Sequence, residues 1–143
     1  MDLALEEARK AEAAGEVPVG AVIVSEDETV VATGFNQPVS SRDPTAHAET
    51  LALRYAARQI GNYRLNGVTL YCTLEPCAMC AGAMVHARIA RLVFGAADLR
   101  AGAAGSIYNI VNDPRLNHRI EVYPGVREEE CRTLLKQFFE RKR

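Results

Sequence analysis

Leu5, Ala8 and Ala11 recur with a helical period along residues 2–14, and Gly15 follows where a left-handed residue closes a helix. This pattern predicts an amphipathic first helix. Residues 19–24 and 29–34 are apolar, β-branched runs on either side of Ser25-Glu26-Asp27-Glu28, which is the mark of a hairpin. A polar connection covers 37–43. Asp43 before Pro44 offers an N-cap and a first-turn proline, so a second helix is expected over 44–60, stopped at Gly61-Asn62, with His47 and Glu49 in its first turns. After the Asn66-Gly67 turn, residues 68–73 read as a third strand. Pro76 then opens a helix to about residue 87, and residues 91–95 form a fourth strand. So short a helical crossover implies parallel pairing of the third and fourth strands. Residues 101–105 read as a flexible loop, 107–111 as a short helical stretch, 120–123 as a fifth strand and 128–141 as a final helix. The elements together predict a mixed five-stranded sheet covered by helices, a three-layer α/β/α sandwich.

With 143 residues, 48% of them hydrophobic, the chain suits one domain over residues 1–143 that buries its own core. It shows no repeat, low-complexity tract or linker. Its apolar runs fall far short of the ~20 residues of a membrane helix, and the acidic start at Asp2, Glu6 and Glu7 lacks the basic region of a signal peptide. The expectation is a cytoplasmic protein without a membrane partner. Two of the four cysteines form a C-x-x-C, which favours metal binding in a reducing compartment over disulfides. The net charge of -1 conceals an uneven distribution, because residues 1–50 carry 3 basic and 10 acidic side chains while 51–143 carry 14 and 8. The basic end contains Arg132, Lys136, Arg141, Lys142 and Arg143. It suits contact with phosphates, and equally a solvated helix end whose cations complement the dipole.

The chemistry lies in His47-Ala48-Glu49 and Pro76-Cys77-Ala78-Met79-Cys80. One imidazole and two thiolates leave a tetrahedral position of Zn²⁺ open for water, the arrangement of a catalytic zinc site. Cys77 and Cys80, three apart at a helix start, can turn both sulfurs to one ion where the helix dipole favours thiolates. Two thiolates offset the charge of the metal, so its water is acidified less and a separate base is needed. Glu49 fits that task, taking a proton from the zinc-activated water and later delivering it to the departing amine. H-x-E followed by P-C-x-x-C is the pattern of the zinc nucleobase deaminases. A competing arrangement is a closed structural site with Cys72 as fourth ligand, although a buried thiol in a strand is more often an apolar filler. Cys131 reads as packing, and neither His86 nor His118 is placed to be a ligand.

The remaining sequence resembles the bacterial tRNA-specific adenosine deaminases of the cytidine deaminase superfamily. The similarity runs through residues 16–22, Gly34-Phe35-Asn36, residues 43–49, residues 73–83, Phe94-Gly95-Ala96, residues 102–106 and Asn117-His118-Arg119. The resemblance implies a cytidine deaminase-like fold that converts adenosine to inosine at the wobble position of a tRNA anticodon stem-loop. It also implies a homodimer with one Zn²⁺ per subunit. By position, His47, Cys77 and Cys80 would bind zinc and Glu49 would shuttle protons. Asn36 and Ala48 would meet the flipped base, and Asp98 would lie near the preceding nucleotide. Read without the resemblance, Asn36 is a turn residue and Asp98 a loop carboxylate with no task. Phe138, Phe139, Arg141, Lys142 and Arg143 could stack on bases and hold phosphates. Leu134, Leu135, Phe138 and Phe139 also make an ordinary core-facing stripe. Two other functions remain: a deaminase of free guanine, cytosine or a nucleotide, and a zinc-stabilised RNA-binding module without catalysis.

Overall fold

A computed structural model describes residues 1–142 of the chain; Arg143, the last of the expected basic residues, lies outside the described residues. Five strands and four helices follow one another as α1 (Asp2–Ala13), β1 (Gly20–Val24), β2 (Val30–Phe35), α2 (Ala48–Ile60), β3 (Thr69–Leu74), α3 (Ala78–Ala87), β4 (Arg91–Ala96), β5 (Glu121–Tyr123) and α4 (Glu128–Lys142). The strand order is β2-β1-β3-β4-β5. β1 runs antiparallel to both β2 and β3, whereas β3, β4 and β5 are parallel, so the sheet is mixed. Burial explains the composition of the strands. The central β1, Gly-Ala-Val-Ile-Val, is almost wholly buried, while the edge strand β2 carries exposed and half-buried positions.

Helices α1 and α4 cover one face, with Leu5, Ala96 and Cys131 packed together. α2 and α3 cover the other, where Ala52, Leu53, Cys80, Ala81 and Met84 meet Ile23, Leu70, Cys72, Leu92 and Phe94. The helices approach the strands closely enough to require glycine. A Cβ on Gly20 would stand 2.0 Å from Ala4 O of α1, and one on Gly34 would stand 2.5 Å from Ala48 O of α2. Gly15 and Gly61 adopt the left-handed conformation beyond α1 and α2, as expected, with φ of 78° and 80°. None of the described helices is long and apolar enough to cross a membrane.

Four local expectations need correction. The second helix begins at Ala48, not Pro44. Asp43 Oδ1 accepts hydrogen bonds from Thr45 N–H (2.9 Å) and Thr45 Oγ1 (2.7 Å), and closely spaced turns then leave His47 extended at φ −78°, ψ 152° as the N-cap. Asp43-Pro44 therefore builds a separate turn. Pro76 likewise precedes its helix, because Cys77 is extended and is itself the N-cap of α3. Residues 107–111 are not helical; Asn109 bridges to Ala104 in a compact turn. The 101–105 segment, expected to be flexible, is held by hydrogen bonds to a buried carboxylate described below.

Candidate active site

The N-termini of α2 and α3 meet at one point. Each first-turn N–H row and its dipole favours negative charge there, and the sequence supplies thiols and a carboxyl to receive it. His47 N-caps α2, Cys77 N-caps α3, and Cys80 lies one turn into α3. His47 Nδ1 stands 3.6 Å from Cys77 Sγ and 3.6 Å from Cys80 Sγ. Tetrahedral Zn²⁺, with bonds of about 2.0 Å to nitrogen and 2.3 Å to sulfur, separates such atoms by about 3.5 Å. The donor set therefore fits zinc. His47 and Cys77 are half-buried and Cys80 is buried, so the cluster is reached from the His47 and Cys77 side. Cys72, on β3, is fully buried and does not join the cluster.

The thiol pair shares its protons unequally. A hydrogen bond with Cys80 draws Cys77 down to about 3, whereas that same bond, together with burial, holds the proton on Cys80. The His47 imidazole is raised by its hydrogen bond with Cys77. Thr50 Oγ1 lies 3.3 Å from Cys80 Sγ, a further polar contact to that sulfur. Glu49, one residue into α2, is 4% exposed, and burial pushes its carboxyl up to about 7 against the opposing pull of the His47 imidazole. A dication on the neighbouring sulfurs would draw that value down again.

The other expected contacts divide into two groups. Asn36, at the end of β2, is buried beside the cluster, and its Oδ1 accepts the Ala48 N–H at 2.8 Å. Ala48 is fully buried with its N–H committed to that bond. Asn36 thus fixes the start of α2 with its oxygen and leaves its amino group for another partner. Asp98 turns its Oδ1 to the backbone N–H groups of Arg100 (3.0 Å) and Ala101 (3.2 Å) and so shapes its own loop. Phe138 and Arg141 lie on α4, across the sheet from α2 and α3. Phe138 is buried and edge-on to Phe139, while Arg141 pairs with Glu12 of α1 at 2.6 Å. Phe138 is therefore a packing residue in this conformation, and Phe139 is the exposed ring. A cavity of about 940 Å³ between α1 and α4 contains none of the metal-cluster residues.

Two buried carboxylates that organise loops escaped sequence reasoning. Glu16 is 2% exposed and accepts the N–H groups of Val39 and Ser40, tying the 37–43 connection to the end of α1. Glu75 is also 2% exposed and anchors residues 98–106. The sequence marks them only as acids in largely apolar tracts, Glu75 next to Pro76 and Glu16 two residues before Pro18, and gives no sign of their partners.

Residues 1–96 match the family described as the cytidine and deoxycytidylate deaminase zinc-binding region. The chain belongs to this class of zinc-dependent deaminases and, within it, to the tRNA-specific adenosine deaminases. It is 53% identical to the tRNA-specific adenosine deaminase of Haemophilus influenzae over 100% of this chain and 83% of that protein. With the Bacillus subtilis protein of the same name it shares 47% identity, over 97% of this chain and 86% of the other. A solved structure described under A-to-I editing by tRNA:A34 deaminases at the wobble position of transfer RNA superposes with a TM-score of 0.90 at 45% identity, covering 94% of this chain and 97% of that one. The guanine deaminase from Nitrosomonas europaea is more distant, with a TM-score of 0.83 and 26% identity over 96% and 81% of the two chains.

Proposed function

We propose that this protein hydrolyses the exocyclic amine of adenosine at the wobble position of a tRNA anticodon loop, giving inosine and ammonia, in the cytoplasm. The observation that carries the reading is the tetrahedral spacing of His47, Cys77 and Cys80 beside the buried carboxyl of Glu49. When bound there, Zn²⁺ supplies Lewis-acid activation of the attacking water. Glu49 accepts a proton from that water as it adds to C6 of the adenine. It passes that proton to the ring nitrogen N1, then carries the second proton from the new C6 hydroxyl to the amine, which departs as ammonia as the C6 carbonyl forms. Burial of Glu49 keeps bulk water from competing for the proton. The amino group of Asn36 is available to orient the base.

The names of the close relatives support an anticodon loop over a free base. Bases in such a loop unstack without opening a duplex, which suits a site that must receive a flipped adenosine. Exposed Tyr55 and Ile60 on α2, Met79 on α3, and Ile107, Tyr108 and Leu116 beyond β4 support a homodimer, and the His47, Cys77 and Cys80 group would hold one Zn²⁺ in each subunit. The deciding experiment offers an anticodon stem-loop with a wobble adenosine beside free adenosine, cytidine and guanine. Inosine is expected only in the stem-loop, and Glu49→Ala is expected to retain zinc while losing turnover. Ammonia from free guanine with the RNA untouched would move the protein to the free-base deaminases. Loss of zinc in Glu49→Ala would make Glu49 a ligand and refute the mechanism.

A further inference from the structure

Glu75 ends the segment that leads into the cysteine turn, immediately before Pro76 and Cys77, yet its side chain points away from the metal cluster and into residues 98–106. One carboxylate oxygen accepts the Asp98 N–H at 3.0 Å and the Ser106 hydroxyl; the other accepts the N–H groups of Ala104 (2.9 Å) and Ser106 (3.1 Å). The backbone reinforces this link, with Ala103 N–H donating to Pro76 O at 2.8 Å and Glu75 N–H donating to Ala96 O at 2.8 Å. Gly102 completes it. A Cβ at that position would stand 2.4 Å from the Glu75 carboxylate and 2.5 Å from Asp98 O, so the loop closes around the acid only with glycine there.

We propose that Glu75 is a positioning residue that latches residues 98–106 to the cysteine turn, so that this loop presents a preformed wall to the nucleotides around the reacting base. Four donors converge on one carboxylate, far more than a surface acid needs. A charged acceptor makes each of these bonds stronger than a neutral one would. Beyond the latch the loop offers solvent the outer part of Asp98, the 77% exposed Leu99 and the exposed Arg100. A fixed frame that carries outward side chains is how a mobile nucleic-acid loop is bound without ordering the protein at the same moment. The latch itself stands on the geometry, whereas its effect on substrate rests on the anticodon-loop reading above.

Two variants disturb the latch from opposite sides. Glu75→Gln removes the charged acceptor, and Gly102→Ala pushes the loop away while leaving Glu75 intact. Both are to be examined for zinc content, for trypsin cleavage after Arg100 and for kinetics on the anticodon stem-loop. We expect zinc to be retained and cleavage after Arg100 to accelerate in both. KM should rise roughly tenfold with kcat within about threefold, as for a loss of uniform binding. Should Glu75→Gln fail to fold, Gly102→Ala and Ser106→Ala supply the same readouts. Unaltered cleavage after Arg100 would overturn the latch whatever the substrate proves to be. A fall in kcat and zinc at unchanged KM would overturn it too, because Glu75 would then act through Cys77. Faster cleavage with no editing by the unmodified protein would leave the latch standing and refute the choice of substrate.

Discussion

Gly34→Ala tests whether the contact between β2 and α2 sets the position of the metal cluster. The added Cβ would stand 2.5 Å from Ala48 O and 2.9 Å from Ala52 N, both backbone atoms. Side-chain rotation cannot relieve such contacts. The start of α2 must retreat by about 0.5 Å for the shorter contact to reach 3.0 Å, and by about 0.9 Å to reach 3.4 Å. Overpacking of this kind costs about 1–3 kcal/mol, which lowers the thermal midpoint by about 3–10 °C in a chain of this length. Metal sites tolerate only about 0.2 Å in ligand distance, so His47 carried outward with α2 should also weaken zinc binding. A misplacement of nearly 1 Å is expected to cut turnover roughly 100-fold. Urea unfolding, zinc analysis and inosine formation on the stem-loop check the three consequences. Gly61→Ala is the control: it strains the left-handed end of α2 at φ 80° with nothing within 4 Å to collide with. It should cost about 1–2 kcal/mol and leave zinc in place. Gly34→Ala within about 0.5 kcal/mol of the parent and with full zinc would refute the packing argument.

Other consequences are smaller. Burial works to raise Glu16, but the hydrogen bonds from Ser40 and Val39 prevail and hold its carboxyl below the usual range. Its stabilisation is thus complete above the unfolded value of about 4.5 and is lost as pH falls through the lower folded value. Glu16→Gln should cost about 1–3 kcal/mol at pH 7, and urea titrations should show the deficit closing below about pH 4.5; a deficit constant with pH would contradict this. Cys72→Ser places a hydroxyl in an apolar core and should cost about 1–3 kcal/mol while keeping full zinc; lost metal would make Cys72 a ligand. Arg141→Ala breaks an exposed ion pair with Glu12 and should change stability by less than about 1 kcal/mol. If Arg141 docks RNA, the slope of log affinity against log salt should fall by about 0.7, and an unchanged slope would remove it from the dock.

The periodic segments and the metal motif were legible because local physics dictates them. α1 closes at a left-handed glycine, β1 and β2 flank a polar turn, and a short crossover forces β3 and β4 parallel. His47, Cys77 and Cys80 were readable by spacing and residue type as a candidate ligand set, and the fold brings the three together. The errors arose where local signals competed. Asp43-Pro44 reads as a helix start, yet the Asp43 side chain closes on Thr45 first and delivers His47 in extended form. Residues 107–111, Ile-Tyr-Asn-Ile-Val, are β-branched, aromatic and amide residues with little helix propensity, and Asn109 pairs with Ala104 instead. The tasks of Glu16 and Glu75 were invisible because their partners are mainly backbone N–H groups, joined for Glu75 by the distant Ser106 hydroxyl, and these carry no sequence signature. Asn36 was assigned to a base, and its bond to Ala48 N–H emerges only when β2 and α2 are brought together.

The ligand set also divides the chain into two parts. Cys77 and Cys80 sit within the β3–α3–β4 unit, whereas His47 arrives on α2, which leans on the β1–β2 hairpin through Gly34. A metal held between them is a rivet across a seam, and its free concentration sets the strength of that joint by mass action. Zinc depletion should therefore loosen the protein unevenly, with backbone amides of α2 exchanging with solvent before those of β3 and β4. Exchange that rises equally in all three would mean that the two parts are already one body without the rivet.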